Sequence, residues 1–91
     1  MKEWKPIEGY EGNYEISNYG SVRNVISGRE LKALPLRKGY LSVNLSKNGK
    51  VKRFTIHRLV AKHFLYVTDP DSMAVNHING NKQDNNLANL E

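Results

Sequence analysis

One histidine at the end of a short apolar run, followed at once by a crowd of side-chain amides, is the group in this chain best suited to chemistry. The stretch reads Ala74-Val75-Asn76-His77-Ile78-Asn79-Gly80-Asn81-Lys82. An imidazole titrates near neutrality, so it can take a proton from water at physiological pH. Such a base must be held still. Asn79-Gly80 is a strong two-residue turn signal, because both residues tolerate positive φ. Asn81, Asn85, Asn86 and Asn89 follow closely, and their amides can both donate and accept hydrogen bonds that brace a loop. A strand ending at His77 and turning into this loop sets the imidazole at a rigid edge. A substrate too large to enter a pocket can be met there.

The elements that must carry this edge are legible upstream. Tyr40-Leu41-Ser42-Val43-Asn44-Leu45-Ser46 alternates with period two, and Val51-Lys52-Arg53-Phe54-Thr55-Ile56 returns after Lys47-Asn48-Gly49-Lys50. With Asn48-Gly49 at the tip, Val43 faces Phe54 and Leu41 faces Ile56. Leu41, Val43, Leu45, Phe54 and Ile56 then share an apolar face, and Ser42, Asn44, Ser46, Arg53 and Thr55 a polar one. Phe54 is expected to be buried. Ile56, Leu59, Val60, His63 and Phe64 follow helical spacing, which predicts a helix from about His57 to Leu65, capped by Thr55. His63 lies on the apolar stripe and reads as a packed histidine, and His57 as structural too.

Before the hairpin the chain reads as a small β-meander. Trp4-Lys5-Pro6-Ile7 is extended, Tyr14-Glu15-Ile16-Ser17 and Ser21-Val22-Arg23-Asn24-Val25 alternate, and Asn18-Tyr19-Gly20 turns between them. Trp4, Tyr14, Ile16 and Val22 are expected in the core. Pro35 makes Leu31 to Leu36 an edge strand or loop. Tyr66 to Ser72, with Asp69-Pro70-Asp71, reads as a polar loop rather than a metal site.

Ninety-one residues suffice for one small domain, or two subdomains sharing a core. There is no cysteine, hence no disulfide and no thiolate-bound zinc. No apolar run approaches the ~20 residues that span a bilayer, so no membrane partner is expected. Charge is uneven along the chain. Residues 21–66 carry eleven Lys or Arg against Glu30 alone, net +10, between ends of net −2 and −3. A basic middle between acidic ends suits a polyanion, either as its footprint or simply as a solvated surface. The candidate contacts to double-stranded DNA are Arg23 and Arg29 of the meander and Lys38, Asn44, Lys52 and Arg53 of the hairpin region. Arg58 and Lys62 on the outer helix face and Lys82 in the loop complete the set.

The pattern Val75-Asn76-His77-Ile78-Asn79-Gly80-Asn81-Lys82, then Asn85-Asn86-Leu87 and Asn89-Leu90-Glu91, resembles the HNH (His-Me finger) endonucleases of phage and introns. His57-Arg58-Leu59-Val60-Ala61-Lys62-His63-Phe64 resembles the helix that precedes that motif. Trp4, Ile7, Gly9-Tyr10-Glu11-Gly12 and Tyr14 through Arg23 resemble the small modular domain, proposed to bind DNA, that often accompanies such nucleases. The resemblance implies an α+β chain: a β-meander, a β-hairpin and a short helix, then a partial ββα-metal motif truncated at its C-terminus. It places the modular domain at residues 1–48 and the first part of the endonuclease domain at 49–91.

For the site, the resemblance implies that His77 is the general base and that Asn89 is the middle Asn, which braces the loop. Asn76 falls on a metal-ligand position, for one Mg²⁺ or Mn²⁺ per site. Two readings of different class follow. One is a metal-dependent endonuclease that nicks or cleaves double-stranded DNA, as a monomer or homodimer. The other is an inactive DNA-binding module on the same scaffold, since the family's later strand and helix, with the last metal ligand, are not in this stretch. Either is expected in the cytoplasm of a bacterial or phage-infected cell.

Overall fold

The computed structural model describes residues 2–65, 75 and 77–90. The segment 66–74, where a polar loop is expected, and Asn76 lie outside the described residues.

Two antiparallel three-stranded sheets and one helix make an α+β fold. In the first sheet β1 (Trp4–Pro6), β2 (Tyr14–Ser17) and β3 (Val22–Asn24) pair in chain order, with Trp4 opposite Ser17 and Ile16 opposite Val22. The turn between β2 and β3 is fixed by one buried hydroxyl. Ser17 Oγ accepts the backbone N–H groups of Tyr19 (3.2 Å) and Ser21 (2.9 Å). Gly20 sits in this turn at φ +85°, which a side chain rarely adopts.

The second sheet has β5 (Leu41–Lys47) between β4 (Leu34–Pro35) and β6 (Lys50–Thr55). Pro35 lies on the edge strand, where no ladder donor is needed. The hairpin register is the expected one: Val43 pairs with Phe54 and Lys47 with Lys50. Asn48 (φ 53°) and Gly49 (φ 77°) both take the left-handed conformation of a tight two-residue turn.

The two faces of this hairpin are less clean than alternation suggests. Ser42, expected on the polar face, is fully buried where β5 pairs with β4, and its hydroxyl donates to Leu34 O at 3.0 Å. Phe54 is only half-buried. It packs edge-on to Tyr10 (5.7 Å between centroids) with the Lys52 ammonium 5.4 Å from its ring centre. Trp4 also stays out of the core. It is a platform for cations, with the Arg23 guanidinium 4.2 Å and the Lys2 ammonium 4.9 Å from its ring centre.

Helix α1 (Ile56–Phe64) begins one residue earlier than the apolar spacing predicts. Thr55 occupies the N-cap position but makes no capping bond, and its hydroxyl is buried without a partner among the described residues. Ile56, Leu59 and Val60 reach a core shared with Ile7, Ile16 and Val22 of the first sheet and Val43 and Leu45 of the second. Both sheets and the helix therefore stand or fall together. Beyond α1, a single 3₁₀ turn, Leu87–Asn89, carries Leu90 into the same core.

Candidate active site

His77 enters the fold through a single antiparallel bridge to Leu90, not a regular strand among the described residues. Leu90 is 4% exposed, so the bridge is anchored in the core. Ile78 N–H donates to Asn89 O at 2.8 Å and Gly80 N–H to His77 O at 2.9 Å. The turn thus spans His77 to Gly80, with Ile78 and Asn79 central. Gly80 alone of the Asn79-Gly80 pair has positive φ, at 76°. The two-residue turn expected at Asn79-Gly80 is replaced by one shifted toward His77, because side chains rather than flanking strands set the loop.

Those side chains are the asparagines. Asn89 Nδ2 donates to Asn79 Oδ1 (3.0 Å) and to Asp84 O (3.0 Å), and its Oδ1 accepts Asn79 N–H (3.2 Å). Asn79 Oδ1 also accepts Asn81 N–H at 2.8 Å, and Asn81 Oδ1 accepts Gln83 N–H at 3.0 Å. Asn89 ties the two sides of the loop together while touching no part of the imidazole among the contacts present.

The imidazole of His77 is half-buried and sits in a small aromatic cluster. Its Nε2 lies 2.8 Å from Asn85 Oδ1. His57 is 5.3 Å away and Tyr40 6.0 Å, centroid to centroid, and Tyr40 stacks on His57 at 4.8 Å. Lys82 extends over the Tyr40 ring (4.7 Å) and donates from Nζ to Lys38 O at 2.9 Å. His57 is 7% exposed, with Nδ1 buried and unpartnered among the described residues. Burial, reinforced by His77 and then by Arg58, pushes its pKa down to about 4, so it stays neutral beside His77. Asp84 is held below the usual carboxylate range, chiefly by the hydrogen bond from the Asn86 amide.

The expected DNA contacts fall into four groups. Lys82 lies over Tyr40 at the His77 edge, with Nζ on the carbonyl of the exposed Lys38. Arg53, Arg58 and Lys62 line an open cleft floored by Ile7, Phe54 and Leu59, where Lys62 is paired with Glu8 at 3.3 Å. Arg23 is engaged within the protein: Nε and Nη2 both reach Glu15 Oε1, at 2.8 and 2.7 Å, while the guanidinium stacks on Trp4. Arg29, Asn44 and Lys52 are exposed, and neither Arg29 nor Lys52 has an ion pair among the described residues. His63 has both ring nitrogens occupied, Nδ1 by Leu59 O (2.8 Å) and Nε2 by Glu8 N–H (2.9 Å).

Sequence reasoning passed over three residues that meet at His77. His57 read as structural, Tyr40 read only as the start of a strand, and Asn85 was one amide among several. Nothing local marks Asn85, which is 4% exposed, from its exposed neighbour Asn86.

As a divalent-metal site the described residues are incomplete. Asp84 is bonded to Asn79 and Asn86, Asn85 Oδ1 is taken by His77, and Asn76 lies outside the described residues. Among the described residues no group of three or more His, Cys, Asp or Glu is placed to hold a metal ion.

Comparison with known proteins matches each half of the chain to a family model. Residues 3–46 match the NUMOD4 motif and residues 55–91 match the HNH endonuclease family. The chain thus carries a NUMOD4 motif in its first half and an HNH endonuclease segment in its second. Members of that family generally depend on a divalent metal. Similarity to DNA endonuclease I-HmuI of Bacillus phage SP01 is 48% identity over 86 residues, 94% of this chain and 48% of the relative. The solved structure describing DNA binding and cleavage by the HNH homing endonuclease I-HmuI superposes with a TM-score of 0.89 at 45% identity, covering 97% of this chain and 50% of that one. The uncharacterized HNH endonuclease L245 of Acanthamoeba polyphaga mimivirus is 48% identical over 92 residues, all of this chain and 27% of its own length. The chain spans about half the length of I-HmuI and a smaller share of the mimivirus protein. None of these matches speaks for a homodimer.

Proposed function

We propose that this chain acts in a metal-dependent endonuclease on double-stranded DNA, with His77 as the general base. The observation that carries the reading is the position of His77. It sits on a core-anchored bridge, at the edge of a loop tied by Asn89, in the segment that matches the HNH family. In hydrolysis, water gives a proton to the imidazole as its oxygen attacks the phosphorus. The P–O3′ bond breaks, leaving a 5′-phosphate and a 3′-oxygen that takes up a proton. A divalent cation, when bound, stabilises charge on the phosphate and the leaving oxygen. Mg²⁺ or Mn²⁺, one per site, is the ion we propose, with Asn76 at a ligand position. The donors among the described residues do not by themselves complete a site for it.

Lys38 and Lys82 beside the aromatic cluster, and Arg53 and Arg58 along the cleft, are the proposed phosphate contacts. Binding should weaken steeply as salt rises, since each neutralised phosphate releases counterions. The relative from Bacillus phage SP01 supports a place in the cytoplasm of a bacterial or phage-infected cell, which fractionation of an expressing culture checks. No helix of the described residues is long and apolar enough to cross a membrane.

The incomplete donor set favours a second reading, a DNA-binding module without catalysis of its own. Plasmid nicking with Mg²⁺ or Mn²⁺ separates the two, with this chain run beside a version carrying the remaining length of its relatives. Nicking that disappears in His77→Ala supports the endonuclease. Salt-sensitive DNA binding with no nicking by either version leaves the module.

A further inference from the structure

Among the described residues, Asn85 is the one side chain that hydrogen-bonds the His77 ring, and the other half of the molecule holds it there. Its Oδ1 lies 2.8 Å from His77 Nε2. With the amide oxygen toward the ring the amide accepts, which fits a neutral imidazole protonated at Nε2 with its lone pair at Nδ1. His77 Nδ1 makes no hydrogen bond among the described residues.

Asn85 owes its place to the turn that follows β2. A Cβ on Gly20 would stand 2.8 Å from Asn85 Cβ and 3.0 Å from Asn85 O, so the two backbones meet where only glycine fits. Two residues on, Leu87 N–H donates to Asn18 O at 2.7 Å. The same turn is stiffened by the buried Ser17 hydroxyl. Residues 17–20 lie in the NUMOD4 segment and Asn85 in the HNH segment. The first segment therefore supports the residue that orients the base in the second.

We propose that Asn85 is a positioning residue for His77. It accepts Nε2–H, leaving Nδ1 to take the proton from water, and the Asn18–Gly20 turn holds it in place. The proposal rests on His77 being the general base, and it has a readout that does not depend on nuclease activity.

The test is ¹⁵N-imidazole NMR on the whole chain with His77 neutral, for wild type, Asn85→Asp and Asn85→Leu. Asp keeps an acceptor for Nε2–H and Leu removes it. The expected result is a single Nε2–H tautomer in wild type and Asn85→Asp, and a mixture with Nδ1–H in Asn85→Leu. In nicking, Asn85→Leu should lower kcat about 10–100-fold, by analogy with the loss of a partner that orients a metal-bound histidine. KM for DNA should stay unchanged, and Asn85→Asp should recover most of the loss.

A wild-type His77 protonated at Nδ1 overturns the proposal, whatever becomes of the variants. So does the same tautomer mixture in folded Asn85→Leu and Asn85→Asp. Gly20→Ala tests the buttress: a folded variant with an unaltered His77 spectrum removes the turn from the account. Nicking that survives in His77→Ala sinks the endonuclease reading while the tautomer result stands apart.

Discussion

Asn-Gly occurs twice in this chain, and the two copies do different work. At Asn48-Gly49 both residues take positive φ and join two paired strands. At Asn79-Gly80 only the glycine does, and the Asn79 side chain is a knot in the loop, bonded to Asn81 and Asn89. Flanking strands make the first pair a turn, since an alternating apolar pattern on both sides demands that geometry. The second pair has only a one-residue bridge behind it, so side-chain hydrogen bonds choose the backbone. The same dipeptide thus builds the scaffold in one place and the site in the other.

If that division holds, changes in the loop should strike activity and changes in the hairpin should strike stability. The sharpest case is His77→Ala, expected to lower kcat by about 10²–10⁴-fold, the range for loss of a general base, with DNA affinity kept. Retained nicking would dissolve the contrast outright. On the scaffold side, Leu45→Ala should cost roughly 2–5 kcal/mol, because a fully buried leucine leaves a cavity. Phe54→Ala should cost less, since that ring is half-buried; chemical denaturation ranks the pair.

Acid should act where scaffold and site meet. His57 is neutral when folded, with a pKa of about 4 against 6.5 when unfolded. Between those values the unfolded chain binds the extra proton, so stability falls as pH drops from 6.5 toward 4. The loss is up to ~3 kcal/mol, and His57→Phe should flatten that part of the profile. A slope unchanged in His57→Phe would assign it elsewhere.

Asn89→Ala removes three hydrogen bonds that tie the loop, worth about 1 kcal/mol each at most. It should lower kcat more than its effect on the melting temperature suggests. The smallest and most direct comparison is Gly49→Ala against Gly80→Ala. Both glycines have φ near 77° and open space for a Cβ, so each should lose roughly 1–2 kcal/mol from left-handed strain. Only Gly80→Ala should change nicking.

Much of the scaffold could be read directly. Alternation on both sides of Asn48-Gly49 fixed the hairpin register, and 3.6-residue spacing placed α1 to within a residue. The motif around His77 and Asn89 identified the loop. Ser42 departs from expectation because period two reports which side a residue faces, not whether that side is covered. Trp4 was misplaced because its cationic partners, Lys2 and Arg23, come together only when β1 pairs with β2 and β3 pairs with β2 in turn.

From the chain of letters alone came whatever depends on neighbours within about one turn or one strand: element types, hairpin register, the basic middle and the candidate base. Folding decided what depends on residues far apart. It set His57 beside His77, seated Asn85 against Gly20, and paired Arg23 with Glu15 across adjacent strands. These contacts follow from how two sheets and a helix share one core, and short-range propensity carries no record of that packing.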